Sequence, residues 1–173
     1  MSHPRDSWRA WATSVAAADL GTPCTEADIA AAEARLGMKL PSSYRDFLLE
    51  LGGLREPHFE ASRLLRPAEL RWLRDADPEL VAEWLQPTEQ ILTFLDLPKG
   101  EPEEPEPWDM THLRDALLIS PAGEPTLLLL NPRVVEGQEW QACTFNDWHP
   151  GGEVHASFGD MLQAEAAMAR APR

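Results

Sequence analysis

The stretch TEADIAAAEARLGMKLPSSYRDFLLELGG, Thr25 to Gly53, decides the fold because it holds two helices complete with their start and stop signals. Thr25 and, three residues on, Asp28 form a capping box, in which the hydroxyl and the carboxylate each satisfy an amide that a helix start leaves unpaired. Ile29, Ala32, Glu33 and Leu36 then fall on one face at helical spacing, and Gly37 supplies the left-handed stop. Pro41 suits the first position of a second helix, where its missing N–H costs nothing, and Tyr44, Phe47, Leu48 and Leu51 form an i, i+3, i+4, i+7 stripe that ends at Gly52-Gly53. The link Met38 to Leu40 is short enough to make the pair a hairpin with one shared core.

Working outward, Trp8, Trp11, Ala12 and Val15 predict an N-terminal helix over about residues 7–20. Arg63 to Leu65 reads as a short strand, Pro67 as the start of a helix with Leu70 and Leu73 inward, and Asp77-Pro78 as the start of another through Trp84. Gln90 to Leu95, Ala116 to Ser120, Thr126 to Asn131, Trp140 to Phe145 and Glu153 to His155 read as strands, with turns at Pro121-Ala122-Gly123 and His149-Pro150-Gly151-Gly152. Ser157 with Asp160 caps a closing helix through Met168. Between Gln90–Leu95 and the later strands lies PKGEPEEPEP, residues 98–107, whose four prolines forbid regular structure.

Helices first, then a run of strands with a helical interruption, then a closing helix is an α+β order, not alternating βαβ. A single domain over residues 1–173 is expected, with its core at 25–170 and a central, mainly antiparallel sheet packed on helices; 173 residues at 43% hydrophobic content suffice for one core. A sheet uncovered on its other face would present a concave surface.

The string LGMKLPSSYRDFLLELGG resembles the leading segment of the SUKH superfamily, where an LG, LP, Tyr, Phe-Leu, Gly succession recurs. LLISPAGEPTLLLLNP at Leu117 to Pro132 and W-x-P-G-G-E-x-x-x-S-F at Trp148 to Phe158 resemble it too, in the right order. The region Arg63 to Leu85 looks like a common insertion of that family. The superfamily combines bacterial toxin-immunity proteins with fungal cell-wall assembly regulators, so the resemblance implies a mixed fold and a binding function.

Charge bears on the kind of partner. The chain carries a net charge of −14, which opposes nucleic acid and anionic membrane as ligands. Residues 96–109 hold six acids and one Lys, and residues 134–160 hold five acids and no Lys or Arg. Concentrated acidic loops suit rapid capture of a basic protein. If the family's immunity role applies, the partner is a cognate toxin domain, such as a nuclease with a basic cleft, and the expected contacts are Glu101, Glu103, Glu104, Glu106, Trp108, Asp147 and Glu153. Trp148 reads as a packing or turn residue. The alternative is an intracellular regulatory or scaffolding module of the same fold.

Catalytic machinery is not recognisable. Gly52-Gly53 and Gly151-Gly152 lack the context of a phosphate-binding loop. Cys143, Asp147, His149, Glu153 and His155 are the best metal-like run, but His-x5-His is no zinc spacing, and the histidines read as surface or turn residues. Cys143 reads as a buried strand residue with His149 its only nearby base. Cys24 and Cys143 lack C-x-x-C spacing, so reduced thiols are expected. The expectation is a non-enzyme without metal or cofactor. No apolar run reaches the roughly 18 residues of a membrane span, and MSHPRDSWRAW lacks a signal-peptide core, so the cytoplasm is the expected compartment. Thirteen of the fifteen basic residues are Arg, a composition that suits a GC-rich bacterial genome.

Overall fold

A computed structural model describes residues 7–14, 19–55, 61–85, 108–146 and 149–169. The two helices of the deciding stretch form where expected. Helix α2 covers Glu26–Leu36, with both bonds of the Thr25/Asp28 capping box made and Gly37 left-handed at its end. Helix α3 covers Ser42–Leu51. Pro41 stands one position earlier than its sequence context suggests, at the N-cap, where it offers no side-chain acceptor. A distant residue replaces it: the Glu139 carboxylate accepts the Ser43 N–H at 2.9 Å, the Ser43 hydroxyl at 2.5 Å and the Ser42 hydroxyl.

Helix α1 covers Trp8–Ser14, and the helical end expected at residues 19–20 is corrected, because Asp19–Leu20 is a strand, β1. It pairs with β2 (Leu54–Arg55), which pairs with β3 (Arg63–Leu64), in a small antiparallel sheet. Pro67 opens only one 3-10 turn, Pro67–Glu69, before strand β4 (Arg71–Trp72) and the short helices α4 (Leu73–Ala76) and α5 (Pro78–Trp84). Asp77 caps α5 as its sequence indicates. A second 3-10 segment, Met110–Asp115, leads into β5 (Leu117–Leu118), β6 (Thr126–Glu136), β7 (Glu139–Asn146), β8 (His149–His155) and α6 (Phe158–Ala169).

Strands β4 to β8 form one antiparallel sheet in chain order. The expected turn at His149 to Gly152 is corrected: these residues are strand, His149 pairs with Asn146, and the register slips between Thr144 and Asn146. Gly152 absorbs the irregularity at φ 58°, and a Cβ there would lie 2.6 Å from the Thr144 carbonyl. The expected strand at Gln90 to Leu95 and the loop 98–107 lie outside the described residues.

Among the described residues the sheet is covered on both faces, so the condition for an open concave surface is not met. On one face, Leu117, Ile119, Leu128, Leu130 and Ala142 join the core of α1, α2, α3 and α6. At its centre Trp8 meets Phe47 at 5.4 Å between ring centroids, and Phe158 lies 4.8 Å from Tyr44 and 5.1 Å from Phe47. Tyr44, fully buried, donates its hydroxyl to the Leu65 carbonyl at 3.1 Å. The aromatic positions of the YRDFL motif therefore tie the first and last helices together. On the other face, Leu118, Leu127, Leu129, Cys143 and Phe145 pack against α4, α5 and the second 3-10 segment. Alternation along β6 feeds both cores.

Candidate partner interface

Glu101, Glu103, Glu104, Glu106, Asp147 and Trp148 lie outside the described residues. What the structure does define is the root of the acidic segment. Residues 85 and 108 bound it, and Leu85 and Trp108 belong to the same apolar cluster, so the segment leaves and rejoins one layer. Trp108, expected as an exposed anchor for a partner, is 3% exposed. Its ring fills the core beneath α5, and its indole N–H finds no acceptor among the described residues. It holds the loop's end and presents no aromatic surface. Asp109, next in the chain, caps the following 3-10 segment through the Thr111 hydroxyl and amide, which hold its carboxyl below the usual carboxylate range.

That root is acidic in its own right. Asp75, Asp77, Glu79 and Glu83 fall within nine residues that contain no Lys or Arg, and Asp75, Glu79 and Glu83 are exposed. The run was visible in the sequence, but only the packing of α5 beside Trp108 joins it to the acidic loop. Glu153 is exposed on β8, in register with Thr144.

Asp147 and the His149 side chain lie outside the described residues, and the rest of the metal-like run does not converge. Direct cross-strand partners share a face, so Cys143 with Val154 faces the Trp108 core, while His155, opposite Ala142, and Glu153, opposite Thr144, face the other way. Among the described residues no three possible ligands are grouped to hold a metal. Cys143 is fully buried, and burial pushes its thiol far above the usual range, the reverse of what a nucleophile needs. His155 is pushed down by burial, against the pull of Glu153 and Asp160. No described helix is long and apolar enough to cross a membrane.

The polar network beside the loop root is structural. Buried Asn131 donates to Gln141 at 3.0 Å and approaches His112 Nδ1 at 3.1 Å, while its carbonyl accepts the Arg133 N–H. Asp115 bridges Arg74 and Arg133. These bonds fix the second 3-10 segment to the sheet.

The model of the SMI1/KNR4 family (SUKH-1) matches residues 23–164. The chain belongs to that family. The matched span starts just ahead of the Thr25 capping box and ends within α6, so it takes in Tyr44, Phe47 and Phe158 of the core and the whole five-stranded sheet. Helix α1 lies before it. The SUKH-1 assignment carries an immunity or regulatory role exercised through protein interaction. No curated protein matches the chain.

Proposed function

We propose that this SUKH-1 protein is an immunity protein that binds and neutralises a cognate bacterial toxin domain, with its acidic surface set against a basic cleft of the kind nucleases carry. The observation that carries the reading is the concentration of charge: residues 96–109 and 134–160 together account for −10 of the net −14. The exposed acids of α4 and α5 extend that field at the loop root. An inhibitor of this charge mimics the phosphates a nuclease cleft binds, and it accelerates encounter. The contacts proposed are Glu101, Glu103, Glu104, Glu106, Asp147 and Glu153, with Trp108 supporting the loop from inside.

The test is capture. The protein, used as bait for the C-terminal domains of toxins encoded in the same genome, is expected to retain one of them at low salt and less at high salt, and to abolish its toxicity on co-expression. Retention of housekeeping proteins alone would overturn the immunity reading in favour of an intracellular regulatory module.

A further inference from the structure

The described residues of this acidic chain include an arginine-lined cavity. It measures about 130 Å³, opens to solvent, and lies where Gly21, Gly52 and Gly53 meet strands β2 and β3, with Arg63 and Arg66 at its rim. The glycines are demanded by the backbone. A Cβ on Gly52 would lie 1.7 Å from the Thr22 carbonyl oxygen, and one on Gly21 would lie 2.8 Å from that of Leu51. The result is a hollow walled by main chain.

The two arginines differ. Arg63 is held in a two-pronged pair with Glu69 at 2.8 and 3.0 Å. Arg66 runs its stem past Gly53, and among the described residues its guanidinium touches only the Cys24 sulfur, at 3.8 Å. Asp28 and Glu69 feel its charge, and both are engaged elsewhere: Asp28 in the Thr25 capping box, Glu69 with Arg63 and the Arg66 N–H. Cys24 offers no compensating charge either, since burial, partly opposed by Arg66, raises its thiol above the usual range. Arg66 is thus a fork of donors with no carboxylate within ion-pair distance among the described residues.

We infer that this cavity is a socket for a single carboxylate side chain of a partner protein, gripped by the Arg66 guanidinium. The cavity holds about four water volumes. That suits one acidic side chain and falls short of the roughly 300 Å³ at which small-molecule sites begin. A planar guanidinium matches a carboxylate in two parallel hydrogen bonds. Covering Arg66 with an apolar surface would strand its charge, so a docking partner must bring an acid there. The inference rests on the proposal that the chain works by binding protein. It adds orientation: the acidic surface attracts a basic partner broadly, and one acid seated at Arg66 fixes how that partner lands.

The test needs no toxin and so stands apart from the capture experiment. The 15N-labelled protein is titrated with N-acetyl-glutamate α-amide, its neutral glutamine counterpart, glutarate and inorganic phosphate at constant ionic strength. Saturable shifts are expected at the Gly21, Gly53 and Leu54 amides and at the Arg66 side-chain N–H with the glutamate probe and not with the glutamine one. Arg66→Gln should weaken binding by about tenfold, and Arg66→Lys, which keeps the charge and loses the fork, by less. Arg66 is exposed, so both variants should melt like the parent. Equal shifts with the glutamine probe, no saturation, or unchanged affinity in Arg66→Gln would overturn the socket. Tighter binding of phosphate or glutarate would replace the partner side chain by a free anion.

Discussion

Gly52 shows how much one residue carries. It ends α3 at φ 70°, and the Thr22 carbonyl occupies the space a side chain would need. Gly37 ends α2 at a similar φ of 73° with nothing within 4 Å of its would-be Cβ. Gly37→Ala should therefore cost only the left-handed backbone penalty, about 1 kcal/mol, whereas Gly52→Ala adds a collision with backbone and should cost more than about 3 kcal/mol in urea unfolding. Similar losses in the two variants would show that α3 and the Thr22 segment can move apart freely. Glu33 makes a pH argument at the same scale. It is buried beneath the α2–α3 link, where it accepts from the Leu40 N–H at 3.1 Å and from Lys39 at 2.5 Å, with Arg45 3.9 Å away. Burial works against its charge, yet these partners outweigh burial and hold its pKa below the ordinary value. A lowered folded-state pKa stabilises above the unfolded value, about 4.3, and that stabilisation disappears as pH falls through the folded value. Lys39 is largely exposed, so the Leu40 bond dominates. Glu33→Gln should cost about 1–3 kcal/mol at neutral pH, and the gap between variant and parent should close on acidification below about pH 4. A gap that stays constant with pH would deny Glu33 its charged role.

Among the elements, α3 depends on a residue 96 positions away, since Glu139 of β7 caps it through Ser43. Glu139→Ala should cost about 1–2 kcal/mol, and Ser43→Ala in the same background should add little, because both remove one cap. Full additivity in a double-mutant cycle would show that the two act separately. This contact also marks where the sequence could be read and where it could not. The capping box of α2, the αL glycines and the Asp77-Pro78 start are signals confined to a few neighbouring residues, and each formed as read. The Glu139 cap has no local pattern, because only the β6–β7 hairpin brings it to Ser43. Pro150-Gly151-Gly152 has the composition of a turn, yet cross-strand pairing with β7 draws it into β8. The segment after Pro67 contracts to a single 3-10 turn because β4 takes Arg71–Trp72 into the sheet. Which helices cover the second face, and hence the burial of Trp108 between proline and acid in the chain, is a tertiary outcome that no run of neighbours encodes. The acids were legible as charge, but the Arg66 cavity was not, since it joins three separate stretches.

For the whole molecule the governing quantity is a net charge of −14 that is unevenly spread. The sheet separates two helical layers, and the layer of α4 and α5 carries the roots of the acidic segment. At physiological ionic strength the field of a charge fades over about 8 Å, so charges steer a partner only when they cluster near its landing site. Replacing Glu101, Glu103, Glu104 and Glu106 together by Gln should then slow association with the captured toxin domain several-fold at low salt, with the dissociation rate nearly unchanged. Glu79→Gln with Glu83→Gln should slow it by a smaller factor in the same direction, because these acids sit beside the loop's root. Both effects should shrink as salt is raised, since screening already removes in the parent what the substitutions remove in the variants. Stopped-flow association rates across a salt series read this directly. Parallel lines for parent and variants would place the partner on another face, and a loss confined to the dissociation rate would make the acids close contacts in place of a steering field.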